Sequence, residues 1–134
     1  MENASEINLK DMPSLENATA KEIAEAAAQA LDSKKAKDIK VLRVEDKTVI
    51  AEYFVLCTGT SSTHIKALAD ETEYRLTERG LPPYRVEGRD NNSWWILDYS
   101  NVLVHIFSRE SREFYNLDKL YAEDKKTVGR EASK

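Results

Sequence analysis

Residues with usable chemistry are few in this chain, and their spacing narrows what they can do. Gly59-Thr60-Ser61-Ser62 lies between an apolar run and a helix-like stretch. A backbone nest with hydroxyls at a helix N-terminus can hold a phosphate. The spacing is neither a P-loop, because no GK[ST] follows, nor GxGxxG. A Gly-Ser turn opening a helix also serves metal-dependent nucleotidyl transfer, which needs closely placed carboxylates on an adjoining strand. Only Asp98 is on offer, followed by Tyr99, Ser100 and the neutral Asn101. An enzyme centred on Gly59, Ser61 and Asp98 is therefore the competing reading. The favoured one makes Gly59 a turn residue and a serine the helix cap.

The other candidates point away from catalysis and metal binding. His64 and His105 are far apart, and with the single Cys57 they lack zinc-ligand spacing. Cys57 sits in an apolar run, where a buried, inert thiol is expected rather than a nucleophile. His105 should share a strand face with Leu103 and Phe107 and be satisfied by the backbone or by a carboxylate such as Asp98 or Glu87. Trp94 and Trp95 are adjacent, so in a strand they point to opposite faces. One packs inward; the other meets a helix or lies exposed. An exposed tryptophan beside Tyr99 at a strand end would be an interface anchor.

Length and composition set the frame for these residues. The 134 residues suit one domain with modest tails, and 41% hydrophobic with 33% charged residues is a soluble, globular balance. No apolar run suggests a membrane span, and MENASE lacks the layout of a signal peptide. One cysteine rules out an internal disulfide and fits a reducing cytosol; a cytoplasmic location is expected. Net charge is −4 and the isoelectric point about 5.3. That balance, with no basic stripe, argues for little or no direct nucleic-acid binding and leaves room for a basic protein partner. The cluster Lys34-Lys35-Ala36-Lys37 reads as favourable charge near a helix C-terminus.

The elements that must position these groups can be read in order. Residues 1–18 are expected as a flexible leader. Thr19-Ala20-Lys21-Glu22 has the form of a capping box. Ile23, Ala26, Ala27, Ala30 and Leu31 follow at helical spacing, an alanine-rich face suited to close approach on a sheet. Ile39 to Val44 reads as a half-buried strand. Thr48 to Cys57, TVIAEYFVLC, reads as a longer interior one. Ser61 or Ser62 caps a helix with Ile65, Leu68, Ala69, Thr72 and Leu76 inward, closed by Gly80 and Pro82-Pro83. Tyr84 to Glu87 is a short strand. Trp94 to Leu97 and Val102 to Phe107 form a hairpin around Asp98-Tyr99-Ser100-Asn101. Ser108 caps a last helix through Phe114-Tyr115, with Leu117, Leu120 and Tyr121 continuing its apolar side. Residues 122–134 are expected to fray. The fold class is α/β (α+β): one domain, 19–121, with a single mixed sheet of about five strands flanked by helices. The strand–helix–strand step through Leu68 is expected to join parallel neighbours.

The segments Ala51 to Ser62, Glu87-Gly88, Trp95 to Tyr99, Val102 to Phe107 and Arg112 to Tyr121, in that order, resemble the ribosomal silencing factor family, also called Iojap-like. The resemblance runs from about Ala20 to Ala122. It implies a nucleotidyltransferase-like fold without the metal carboxylates, no catalysis and no cofactor or metal. It also implies a factor that docks on protein number fourteen of the large ribosomal subunit, blocks joining of the small subunit and represses translation when nutrients are scarce. Members are often homodimers when free. The expected partner surface has Trp95 and Tyr99 as anchors and Leu117, Leu120 and Tyr121 widening the apolar patch. Asp98 and Glu87 supply negative charge, and Asn101, His105 and Tyr115 complete it. The hairpin departs from the family tetrad of Asp, apolar or aromatic, Gly, Asp. Ser100 and Asn101 stand in the last two places, with one negative charge lost and Asn101 expected to tolerate a left-handed turn.

Overall fold

The computed structural model describes residues 12–89 and 93–122. The first helix, α1 (Ala20–Ser33), begins at the expected capping box: the Thr19 hydroxyl accepts from Glu22 N–H at 3.1 Å, and a Glu22 carboxylate oxygen accepts from Thr19 N–H at 2.9 Å. Satisfying two otherwise orphaned donors is worth about 1 kcal/mol. Ala24, Ala27, Ala30 and Leu31 have no exposed surface, and such small side chains let the helix sit close to its neighbours. The helix α2 (Ser62–Glu78) is capped by Ser61, whose hydroxyl accepts from His64 N–H at 3.1 Å. Ile65, Leu68, Ala69, Thr72 and Leu76 are its buried stripe. It closes with paired bonds from Gly80 N–H to Thr77 O and from Leu81 N–H to Leu76 O, Gly80 taking φ +91°.

The strands are β1 (Lys37–Arg43), β2 (Tyr53–Thr58), β3 (Arg85–Glu87), β4 (Trp94–Asp98) and β5 (Val102–Phe107), in spatial order β1-β2-β5-β4-β3. Only β2 and β5 run parallel; the other pairs are antiparallel. The mixed five-stranded sheet is the expected fold class. One connection differs. The chain leaving β2 through α2 does not reach a parallel neighbour but crosses to the far edge as β3. It then returns through β4 to place β5 beside β2.

Three element boundaries also differ. The expected strand from Thr48 begins only at Tyr53: Lys47 and Thr48 N–H turn back onto Val44 O, and Val49 and Ile50 are left exposed. The expected last helix breaks in two, α3 (Arg109–Tyr115) and α4 (Leu117–Leu120), because Asn116 adopts φ +49°, ψ +50°. From there its side chain caps the following turn, accepting from Lys119 N–H at 3.4 Å. Residues 12–18 fell within the expected flexible leader. There Leu15 is buried, its N–H bonds Arg79 O at 2.7 Å, and Arg79 Nε donates to Pro13 O at 3.0 Å. The rest of that leader, 1–11, and the tail from 123 lie outside the described residues.

Strand alternation sorts the side chains into two layers. Val55, Cys57, Trp95, Leu97, Val102, Val104 and Ile106 join α1 and α2 in the main core. Phe54, Leu56 and Phe107 form a smaller core on the opposite face, where Trp94, Leu103, Leu117 and Tyr121 pack against it. The short α3–α4 segment covers only part of that second face.

Candidate docking surface

The β4–β5 hairpin is held by backbone geometry before any side chain acts. Tyr99 N–H bonds Val102 O at 2.8 Å, and Asn101 N–H bonds Tyr99 O at 2.9 Å. Ser100, not Asn101, occupies the left-handed position, at φ +74°. Asp98 stabilises this turn by accepting from Ser100 N–H at 2.7 Å. Asn101 gives its carbonyl to Glu52 and Tyr53 N–H and leaves its side chain exposed.

The expected anchors are corrected by this alternation. Trp95 is 5% exposed and Tyr99 4%, both in the main core under α1 and α2. Neither ring can be offered to a partner. Period two sends Trp95, Leu97 and Tyr99 inward together, and sends Trp94, Ile96 and Asp98 to the other face. Burial, with Glu73 nearby, raises the Tyr99 hydroxyl pKa well above its usual range.

Trp94 is therefore the tryptophan at the surface. It is half-buried and its ring lies against Phe107 at 5.1 Å and Tyr115 at 4.4 Å between centroids. Its Nε1–H donates to His105 Nδ1 at 3.2 Å. Indole is only a donor, so His105 carries its proton on Nε2. The histidine does share a face with Leu103 and Phe107, but its partner is Trp94 rather than Asp98 or Glu87. Burial pushes its pKa down to about 4, and Nε2 meets no hydrogen-bonding group. Phe54 packs edge-on against both His105 and Tyr121.

Outside this aromatic layer stand Phe114, 80% exposed, Leu120, 65%, and Tyr115, 48%. Phe114 and Tyr115 meet edge to face at 4.9 Å. Leu117 and Tyr121 do not widen the patch as expected; both are half-buried and hold α4 to the second core. A polar clamp fixes the same segment. Arg112 donates from Nε and Nη2 to Asp118 at 2.7 and 2.8 Å, from Nη1 to Thr58 Oγ1 at 2.9 Å, and from Nη2 to Asp38 O at 2.9 Å. The Arg112 hydrogen bond, aided by Lys40, holds the Asp118 carboxyl down at about 2.

At the other end of the face, about 13 Å along β4 at 3.3 Å per residue, lie the acidic groups. Asp98 is directly opposite Arg85 on β3, whose Nε lies 3.3 Å from Asp98 Oδ2 and 3.7 Å from Glu87 Oε2. Trp94, Phe114 and Arg85 are the residues of this surface that the sequence reading missed. An adjacent pair of tryptophans signals that one faces out but not which; Leu97 as a fixed inward residue would have decided it.

The competing constellation is not assembled. Gly59 follows Thr58, which is level with Phe107 and, across β5, with Trp94, whereas Asp98 is level with Leu103 at the other end of the strand. A cleft of about 810 Å³ does open beside Gly59-Thr60-Ser61-Ser62, lined also by Lys37, Asp38 and Arg109. Among the described residues no group of three His, Cys, Asp or Glu is placed to hold a metal ion. His64 is engaged on both ring nitrogens: Nδ1 accepts from Thr60 N–H at 2.9 Å and Nε2 donates to Lys34 O at 2.8 Å. Cys57 is fully buried, its thiol pushed up to about 12 by desolvation. No helix among the described residues is long and apolar enough to cross a membrane.

Known proteins share this sequence pattern and fold. The family model described as ribosomal silencing factor during starvation matches residues 17–134. Ribosomal silencing factor RsfS of Bacillus subtilis is 37% identical over 77% of this chain and 87% of its own length. The mouse protein named mitochondrial assembly of ribosomal large subunit protein 1 is 32% identical over 68% of this chain and 41% of its own. A crystal structure of a Chromobacterium violaceum protein superposes with a TM-score of 0.74 at 30% identity, covering 77% of this chain and 86% of that one. The chain belongs to the ribosomal silencing factor family, and its role lies in ribosome-related regulation of translation.

Proposed function

We propose that this protein binds the large ribosomal subunit at its protein number fourteen, in the cytoplasm, and blocks joining of the small subunit by bulk alone. Translation would then fall when nutrients are scarce. Family membership supports a ribosomal target, and the mouse relative is itself named for large-subunit assembly. The observation that carries the proposal is the side of the sheet that holds the second core. Exposed Phe114 and Tyr115 adjoin half-buried Trp94, Leu120 stands exposed on α4, and Asp98 and Glu87 supply charge at the far end of β4. Exposed aromatics at one end of a face and carboxylates at the other suit a basic protein surface, with hot spots drawn from the aromatics. A standard interface of roughly 800 Å² per side fits on such a face. Steric blocking requires affinity and volume but no catalytic group, cofactor or metal.

The test is sedimentation with separated ribosomal subunits, followed by a subunit-joining assay. Co-migration with large subunits and a reduced joined fraction are expected. Migration with small subunits, or with neither, would contradict the proposal. The free chain is proposed to pair with a second copy, which sedimentation without subunits reads directly.

A further inference from the structure

The acidic end of the docking face already holds a cation of its own. Arg85 stands across from Asp98 in the β3–β4 register and reaches both Asp98 and Glu87. Of the two Asp98 oxygens, Oδ1 is committed to Ser100 N–H and Oδ2 faces Arg85 Nε. An incoming lysine or arginine therefore meets a site of one net negative charge rather than two. The Arg85 side chain is 59% exposed, so it is not locked in by packing. In the same position its guanidinium also lies 5.6 Å from the centroid of the exposed Tyr84 ring, a contact that does not depend on the carboxylates.

We infer that Arg85 is a placeholder on the Glu87–Asp98 pair, displaced by a basic side chain of the partner when the surface docks. This rests on the docking reading above. Displacement costs Arg85 the ion pairs but keeps the cation–π contact with Tyr84, which is already made. It also lowers attraction for any weakly basic surface, since only a cation that outcompetes Arg85 gains the pair. Arg85 thus sets specificity through competition, without being an anchor.

The experiment compares binding of the full chain to purified large subunits for the parent, Arg85→Gln, Arg85→Lys and Arg85→Gln combined with Asp98→Asn. Arg85→Gln should tighten binding about threefold to tenfold, the scale of one competing ion pair. Arg85→Lys, which keeps the charge, should stay near the parent, and the double variant should lose the gain. Circular dichroism confirms that each variant is folded. Unchanged or weaker binding by Arg85→Gln, with the parent binding normally, overturns the placeholder role alone. Absence of binding by the parent overturns the docking reading instead.

Discussion

Trp94 Nε1 donates to His105 Nδ1 at 3.2 Å, joining the only half-exposed tryptophan to a histidine buried in the second core. That bond fixes the indole edge inward and leaves one ring face against Tyr115. Replacing Trp94 by Phe should cost about 1–2 kcal/mol in urea unfolding, because Nδ1 is then buried without a donor while Nε2–H already lacks an acceptor.

The same histidine makes stability depend on pH. Its folded pKa, about 4, lies below the ordinary 6.5. The unfolded chain therefore binds the extra proton between these values. Stability is full above pH 6.5 and falls as the pH drops toward 4, by roughly 3 kcal/mol. Urea midpoints measured between pH 7 and 4.5 should show this slope in the parent, and a much flatter one in His105→Phe whatever its absolute stability.

Asp118 acts in a separate window. Its folded pKa of about 2 lies below the ordinary 3.8, so its contribution is present above 3.8 and lost as the pH falls toward 2. At neutral pH, Asp118→Ala strips Arg112 of its carboxylate while the guanidinium stays largely buried. A loss of about 2–3 kcal/mol is expected, with faster amide exchange across residues 109–121 as α3 and α4 loosen.

Ser100 holds φ +74° in the hairpin turn, a region that costs a non-glycine residue about 1 kcal/mol. Ser100→Gly should raise stability by roughly that amount, since the Asp98 carboxylate bonds a backbone N–H that glycine retains. A fall in melting temperature would show that the Ser100 side chain contributes more than the turn conformation takes away.

Much of this architecture is legible in the residues because local chemistry and global packing agree there. The Thr19–Glu22 box, the Gly80 stop and the Val102–Phe107 alternation each specify one conformation. Failures came where tertiary context overrode pattern. Thr48 to Ala51 read as apolar enough for a strand, but Lys47 and Thr48 N–H bond Val44 O in a turn, and pairing starts only at Tyr53. Asn116 ends α3 with a left-handed residue that apolar periodicity cannot register. In the hairpin the strained position fell on Ser100 although Asn101 looked the better candidate, because register with Val102 decides it. The docking face was half legible. Tyr115 and Leu120 are exposed as expected, whereas Trp95 is buried and Trp94 is the tryptophan on the proposed face. Arg85 is not legible in the sequence, because a cation on an acidic surface gives no signal until strand register sets it opposite Asp98.

The most direct measurement of the central claim is co-sedimentation with separated large subunits for the parent, Tyr115→Ala and Asp98→Lys, each checked for folding. The parent should co-migrate and suppress subunit joining. Each variant should bind more weakly, Tyr115→Ala by about thirtyfold if it is an aromatic hot spot worth about 2 kcal/mol. Equal co-sedimentation of all three proteins would contradict the account, because the face formed by Trp94, Tyr115 and Asp98 would then not be the one that docks.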